Sequence, residues 1–314
     1  MKTIIAFMVV ILGVSGETSA QSRFDGIVVF GTSLSDPGNA FALSGDASTP
    51  PDFMLNPLLI PTAPYAKGGH HFSNGATWIE QYARSVGLAE SVRPAFASDG
   101  ASATNYAVGA ARSYEDGINV NLTRQVDAFL ERSGGVASSR ALYVIEMGGN
   151  DIRDAFQVYA FGGDGGPILQ AALGSIATNI QRLYAAGATQ YLVWLPPNVG
   201  LTPAIRSLGP AAGGLATLLT SNFDAALTQI LDQLPAALPG ASFARLDANQ
   251  LLSAIVAQPS AFGLTTVTTA CVTPNIAPFT CSHVDEFLFW DGIHPTKAGH
   301  ALVAEEAARV LNAF

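Results

Sequence analysis

Ile27-Val28-Val29-Phe30-Gly31-Thr32-Ser33-Leu34-Ser35-Asp36 is the stretch on which the fold turns. Four apolar residues stop at a glycine and are followed at once by hydroxyl and carboxyl side chains. A run that is apolar at both odd and even positions must bury both faces. It therefore predicts a strand inside a parallel sheet covered by helices on each side. The polar residues then lie just past the strand's carboxyl end, the edge where open α/β sheets collect ligands.

The same pattern recurs outward from this stretch. Leu142-Tyr143-Val144-Ile145 leads into Gly148-Gly149, Tyr191 to Leu195 stops at Pro196-Pro197, and a weaker run spans Ser242 to Leu246. Between the strands the apolar spacing becomes helical. Leu169, Leu173, Ile176, Ile180, Leu183 and Tyr184 mark a helix over Ile168 to Ala186, with Gly187 as its stop. Leu218 to Leu234 marks a second helix, and a third starts near Thr296 with Leu302, Val303, Ala307, Val310 and Leu311 on one face. Alternating strands and helices predict one α/β domain with a mostly parallel central sheet. Ser44 to His71 follows neither period and holds five of the chain's 18 prolines. It reads as a long loop, bordering the substrate site or simply packed beside the first strand. Gly162-Gly163-Asp164-Gly165-Gly166 reads as a flexible link.

The first twenty residues are expected to stand outside this domain. Lys2, an eleven-residue apolar run from Ile4 to Val14, and the small residues Thr18-Ser19-Ala20 form a secretory signal, with the domain covering residues 21–314. The run is too short to span a bilayer, so a released, secreted protein without a stable membrane anchor is expected, periplasmic if the source is bacterial. The chain closes at Phe314 directly after its last helix, and no appended module is expected. A formal net charge of −9 with 15 Lys and Arg argues against nucleic acid or an anionic membrane surface as partner. Cys271 and Cys281 are the only cysteines. In an exported chain they are expected to form a disulfide, since a metal site would need more ligands than these two and His283 supply. Asn121-Leu122-Thr123 is a glycosylation sequon, relevant only in a eukaryotic host.

Three segments carry chemistry-bearing residues. Ser33 follows the first strand. Asn150, in Met147-Gly148-Gly149-Asn150-Asp151, follows another and offers a neutral amide donor suited to a developing oxyanion. Asp291 and His294, in Trp290-Asp291-Gly292-Ile293-His294-Pro295, are spaced to share a hydrogen bond on a tight turn. Each segment alone also reads as an ordinary turn or helix cap. Together they supply nucleophile, oxyanion donor, acid and base in chain order.

Taken as a set, these blocks resemble those of the GDSL/SGNH hydrolases, in the expected order. Gly31-Thr32-Ser33-Leu34-Ser35-Asp36, continued by Gly38 and Asn39, is similar to the first block. Asn105-Tyr106-Ala107-Val108-Gly109 resembles the second, and Gly148-Gly149-Asn150-Asp151 the third. Asp291-Gly292-Ile293-His294-Pro295 resembles the last, and Phe72-Ser73-Asn74-Gly75 with Trp78 is a stretch found in many exported members. The resemblance implies a flavodoxin-like α/β/α sandwich and a serine esterase or lipase that works through an acyl-enzyme. It implies a Ser33–His294–Asp291 triad, an oxyanion hole of the Ser33 and Gly109 backbone N–H groups and the Asn150 amide, and no cofactor. The substrate is a small-molecule or lipid ester. An acyltransferase using the same site is an alternative.

One departure stands out. The family usually carries Asp before its nucleophile, and this chain has Thr32. The Thr32 hydroxyl can replace part of the lost bonding, with a looser turn as the alternative. Activity is therefore expected to be retained at a reduced level, and a ligand-binding homologue with weakened catalysis is a further alternative. Glu146 ends a buried strand and has no role assignable from sequence. His70, His71, His283 and His300 show no metal-ligand spacing and are expected in loops and on a helix surface.

Overall fold

The structure, a computed structural model, describes residues 23–97 and 102–314. The signal segment falls outside the described residues. In chain order the elements are β1 (Ile27–Gly31), α1 (Asn39–Ser44), α2 (Trp78–Ser85), α3 (Leu122–Arg132), β2 (Leu142–Glu146), α4 (Gly149–Ala160) and α5 (Gly166–Ala185). There follow β3 (Gln190–Leu195), α6 (Pro203–Arg206), α7 (Pro210–Ala237), β4 (Ser242–Asp247), α8 (Ala248–Ala257), β5 (Thr266–Ala270), β6 (Phe287–Phe289) and α9 (Lys297–Ala313).

Strands β1 to β4 form one parallel sheet in the order β1-β2-β3-β4. Residues 104–108 run along the free edge of β1. Val29 N–H donates to the Thr104 carbonyl, and the Tyr106 and Val108 N–H groups donate to the Val29 and Gly31 carbonyls. Counting that segment, the sheet follows the 2-1-3-4-5 order of doubly wound folds. The chain is thus an α/β protein with a parallel central sheet, as the runs of β-branched residues predict.

Both faces of β1, β2 and β3 are buried, which is why these strands read as continuous apolar runs, whereas β4 at the sheet edge is only partly covered. Val28, Phe30, Tyr143, Ile145, Tyr191 and Val193 face one core with residues of α3, α5 and α7. Ile27, Val29, Leu142, Val144, Leu192 and Trp194 face the other, against α2 and α9. Fully burying one such side chain contributes about 1.5–3 kcal/mol, so either core alone far outweighs any single polar contact at the strand ends.

The predicted helices appear, the first and last close to their expected bounds and the second extended to Pro210–Ala237, and Gly187 follows α5 at φ +119°. Residues 162–166 are not a flexible link. They form an ordered connection in which Asp164 Oδ1 accepts from the Gly166 N–H and the Tyr159 hydroxyl. β5 and β6 form a second, two-stranded parallel sheet that the sequence pattern does not signal. Beside it Cys271 and Cys281 form the expected disulfide. The Cys271 and Val272 N–H groups donate to the Trp290 carbonyl, which ties the disulfide loop to the residue before Asp291. Asn121 is the N-terminal cap of α3 and is fully buried, with Nδ2 donating to Asp116 Oδ1. In the folded chain it is not presented to a glycosylating enzyme.

Candidate active site

The carboxyl ends of β1 and β2 and the turn before α9 meet at one point. Ser33 stands two residues past β1, and His294 sits two residues before Thr296. Thr296 caps α9 by accepting the Gly299 N–H. His294 Nε2 lies 2.9 Å from Ser33 Oγ, and Nδ1 lies 2.7 Å from Asp291 Oδ2. All three side chains are buried. Residues 261 positions apart are therefore aligned in one hydrogen-bonded row.

Asp291 is held by its own turn and by a distant tyrosine. Oδ1 accepts the N–H groups of Ile293 and His294, while Oδ2 accepts His294 Nδ1 and the Tyr65 hydroxyl at 2.9 Å. Tyr65 belongs to the aperiodic Ser44–His71 segment, and burial together with the Asp291 charge pushes its pKa well above the usual tyrosine range. The same segment crosses the turn at Gly292. A Cβ there would meet the Leu58 carbonyl at 2.0 Å, and the Gly292 N–H donates to the Leu59 carbonyl. Only glycine allows that approach. The loop thus supports the site, and its residues Ile60 to Pro64 also wall the groove described below.

The residues of the block motifs hold these strand ends together. Asn39 Nδ2 donates to the carbonyls of Asn105 and Ala107, and Asn105 Nδ2 donates to the Ser35 carbonyl. Ser73 Oγ donates to the Pro295 carbonyl, Asn74 Oδ1 accepts the Lys297 N–H, and Trp78 Nε1 donates to Ser35 Oγ. The Phe72–Trp78 stretch therefore fastens the turn that carries His294 onto the turn that carries Ser33. Asp36 accepts the N–H groups of Gly38, Asn39, Ala40 and Gly109, and burial raises its pKa to about 6.

That last bond bears on the oxyanion role expected of Gly109. Its single N–H donates to Asp36 Oδ2 at 2.8 Å and is spent on a buried carboxyl. The residue is glycine for another reason, because a Cβ there would lie 2.2 Å from the Phe72 ring, which packs 5.4 Å from the His294 ring. The next residue, Ala110, lines the groove at φ +65°, and its N–H has no acceptor among the described residues.

Asn150 lies in the first turn of α4. Nδ2 donates to the Ala111 carbonyl at 2.8 Å, and Oδ1 accepts Nη1 of Arg153 at 2.9 Å. Its neighbour Asp151 binds the Ser113 N–H and hydroxyl and the Tyr114 N–H, anchoring the segment after Gly109.

Thr32 does not loosen the turn. Its N–H donates to Glu146 Oε2 at 2.8 Å, and its hydroxyl lies 3.0 and 3.1 Å from the two carboxylate oxygens. β1 and β2 pair Gly31 with Glu146, so the strand register delivers this contact. A carboxyl group thus stands beside the residue before Ser33, supplied from β2 instead of from position 32. Burial pushes the Glu146 pKa up to about 7.

His70, His71 and His283 lie in loops as expected, while His300 departs from the helix surface expected for it. His300 is buried within α9 and burial lowers its pKa to about 3. His71 is buried as well. Burial alone would lower its pKa, but the 2.8 Å contact with Glu80 raises it instead. His70 stacks on Phe41, and His283 is exposed.

Two spaces open at Ser33. One is a solvent-open groove of about 530 Å³ lined by apolar residues such as Leu43, Ile60 and Ile118 together with Arg112, Asn150 and Arg153. The other is a small space of about 50 Å³ bounded by Leu34, Pro197 and Ile293, and on the far side of Leu34 and Ile293 lies an apolar pocket of about 60 Å³ walled by Trp194, Leu251, Leu252 and Ile255.

Tyr65 and Arg153 escape sequence reasoning. Tyr65 sits in a segment with no period to read. Arg153 does carry a signal, its i,i+3 spacing from Asn150 on one helix face.

Against known proteins, the profile of the GDSL-like lipase/acylhydrolase family matches residues 27–307. Esterase EstA of Pseudomonas aeruginosa and esterase EstA of Pseudomonas putida are each 30% identical over 94% of this chain. The chain spans 48% of the length of either, about half. A GDSL esterase/lipase of Arabidopsis thaliana is 23% identical, with 94% of this chain and 93% of the relative aligned.

Proposed function

This chain belongs to the GDSL-like lipase/acylhydrolase family, and on that premise we propose that it is an exported serine esterase hydrolysing carboxylic esters at Ser33. The observation that carries the reading is the contact row from Ser33 Oγ through His294 to Asp291, at 2.9 and 2.7 Å. For Nε2 to accept the Ser33 proton, the imidazole must be neutral with its hydrogen on Nδ1, and Asp291 Oδ2 is the acceptor that selects this tautomer.

Ser33 Oγ attacks the ester carbonyl as His294 takes its proton. The C–O bond to the alcohol breaks while His294 returns that proton to the leaving oxygen. Water then attacks the acyl-enzyme by the same proton transfers and frees the acid. The tetrahedral oxyanion is held by the Ser33 N–H and the remaining Asn150 Nδ2 hydrogen. The Ala110 N–H is the backbone donor we assign in place of Gly109. The open groove beside Ser33, with Leu43, Ile60 and Ile118 in its wall, is the space that would take the ester. Export accords with the Lys2–Ala20 pattern, and among the described residues no helix is long and apolar enough to cross a membrane.

Turnover of p-nitrophenyl esters of increasing acyl length tests the assignment, with Ser33→Ala as control. The wild-type chain is expected to release p-nitrophenol and the variant to lose activity. Wild-type turnover by Ser33→Ala would overturn the assignment.

A further inference from the structure

Two arginines line the groove beside Ser33, and they are held differently. The Arg112 guanidinium grips Asp154, with Nε and Nη2 at 2.8 and 3.0 Å from its two oxygens. Arg153 has no carboxylate within ion-pair distance among the described residues. Its guanidinium donates from Nη1 to a neutral oxygen, Oδ1 of Asn150, at 2.9 Å. Burial lowers its pKa from the usual arginine value, and Asp154, the acid that acts most against this, is already engaged by Arg112. Arg153 is thus a half-buried cation at the groove with no carboxylate paired to it, a position that carries a desolvation cost.

The contact with Asn150 shows what that charge does. One Asn150 Nδ2 hydrogen is taken by the Ala111 carbonyl, which leaves the other for the oxyanion. The amide cannot invert, because inversion would set its NH2 group against the guanidinium and its oxygen against a carbonyl. A cation on the amide oxygen also strengthens the opposite N–H as a donor. Negative charge appears at this place only when the tetrahedral intermediate forms, so the interaction gains strength along the reaction rather than on binding.

We propose that Arg153 is a positioning residue of the ester-hydrolysing site, locking the Asn150 amide and lending its uncompensated charge to the oxyanion through that amide. The inference rests on the esterase reading given above. Because Arg153 acts through Asn150, the two must be non-additive.

The test is a double-mutant cycle on the full chain, with kcat and KM for p-nitrophenyl butyrate and a thermal melt for each variant. Arg153→Met is expected to lower kcat about 10- to 100-fold, as for a lost bond to a charged group, with KM nearly unchanged. Arg153→Lys, which keeps the charge but not the fork, should recover part of the loss. In an Asn150→Ala background, Arg153→Met should cost less than about threefold. Unchanged kcat in Arg153→Met would overturn the proposal. So would losses that multiply with Asn150→Ala, or a rise in KM alone, which would mean that Arg153 binds substrate directly. If Arg153→Met does not fold, Arg153→Lys carries the same cycle with the same criteria. An active Ser33→Ala variant would sink the esterase reading, whereas a multiplicative cycle with inactive Ser33→Ala sinks only the role of Arg153.

Discussion

Asp291 and Glu146 are both buried carboxyls near Ser33, and they are supported in opposite ways. Asp291 receives four hydrogen bonds, two of them from backbone N–H groups of its own turn at Ile293 and His294. Glu146 ends a strand and relies on a neighbouring strand, with the Thr32 N–H and hydroxyl as its main donors and Ser35 as a lesser one. Those donors do not offset desolvation, and its pKa rises to about 7. A carboxyl held by its own turn thus keeps its donors whatever distant neighbours carry. One supplied from across the sheet depends on what its partner carries.

The largest break in this comparison is Asp291→Asn. It keeps the shape but presents an NH2 group where His294 needs an acceptor, so the wrong tautomer is favoured. The matching change in a serine protease lowers kcat about 10⁴-fold, and a loss of that order is expected here at saturating p-nitrophenyl ester. A loss below tenfold would remove Asp291 from the proposed relay. Next in size is Thr32→Asp, which restores the residue the family usually carries and would ordinarily be read as a repair. Here it sets a second carboxyl against Glu146, and an uncompensated buried charge costs about 3 kcal/mol or more. Thr32→Asp should lower the melting temperature, most strongly above neutral pH, and Glu146→Gln should restore much of it. A Thr32→Asp variant that melts like the wild type would show that Glu146 does not fill the place of the missing aspartate.

A smaller effect comes from titration of Glu146. Its ordinary value is 4.5 and burial moves it to about 7 in the folded chain. Between those values the unfolded chain is ionised while the folded chain holds the proton, so stability is greatest on the acid side. It falls as pH rises toward 7 and then levels off. Asp36 and Asp151, both raised to about 6 by burial, act in the same direction. One group with this shift is worth at most about 3 kcal/mol. Melting temperatures from pH 4.5 to 7.5 should decline, and Glu146→Gln should flatten that decline. An unchanged slope in the variant would refute the assignment.

What was legible in the chain followed from locality. The runs of β1, β2 and β3 are buried on both faces, so they read without ambiguity. Ser33, Asn150, Asp291 and His294 follow strands or precede a helix, where short motifs can be recognised. Partners brought in across the fold were not legible. Nothing around Tyr65 says that its hydroxyl reaches Asp291, 226 positions away. Nor does the second block say that the Gly109 N–H is spent on Asp36. The Thr32–Glu146 contact is set by sheet register, which a single sequence does not print, so the missing aspartate looked like a defect.

The finest test of the comparison is Tyr65→Phe, which removes one of the four donors on Asp291 and leaves the ring to pack against Trp290 at 5.6 Å. Oδ2 then keeps His294 Nδ1 as its hydrogen-bond partner, and both backbone donors stay on Oδ1. If the turn itself secures Asp291, the loss should stay near that of one bond to a charged group, about tenfold in kcat/KM, with little change in melting temperature. A loss approaching that of Asp291→Asn would mean that the local donors cannot hold the carboxylate without the loop. In that event the contrast with Glu146 would fail, since both acids would depend equally on a distant partner.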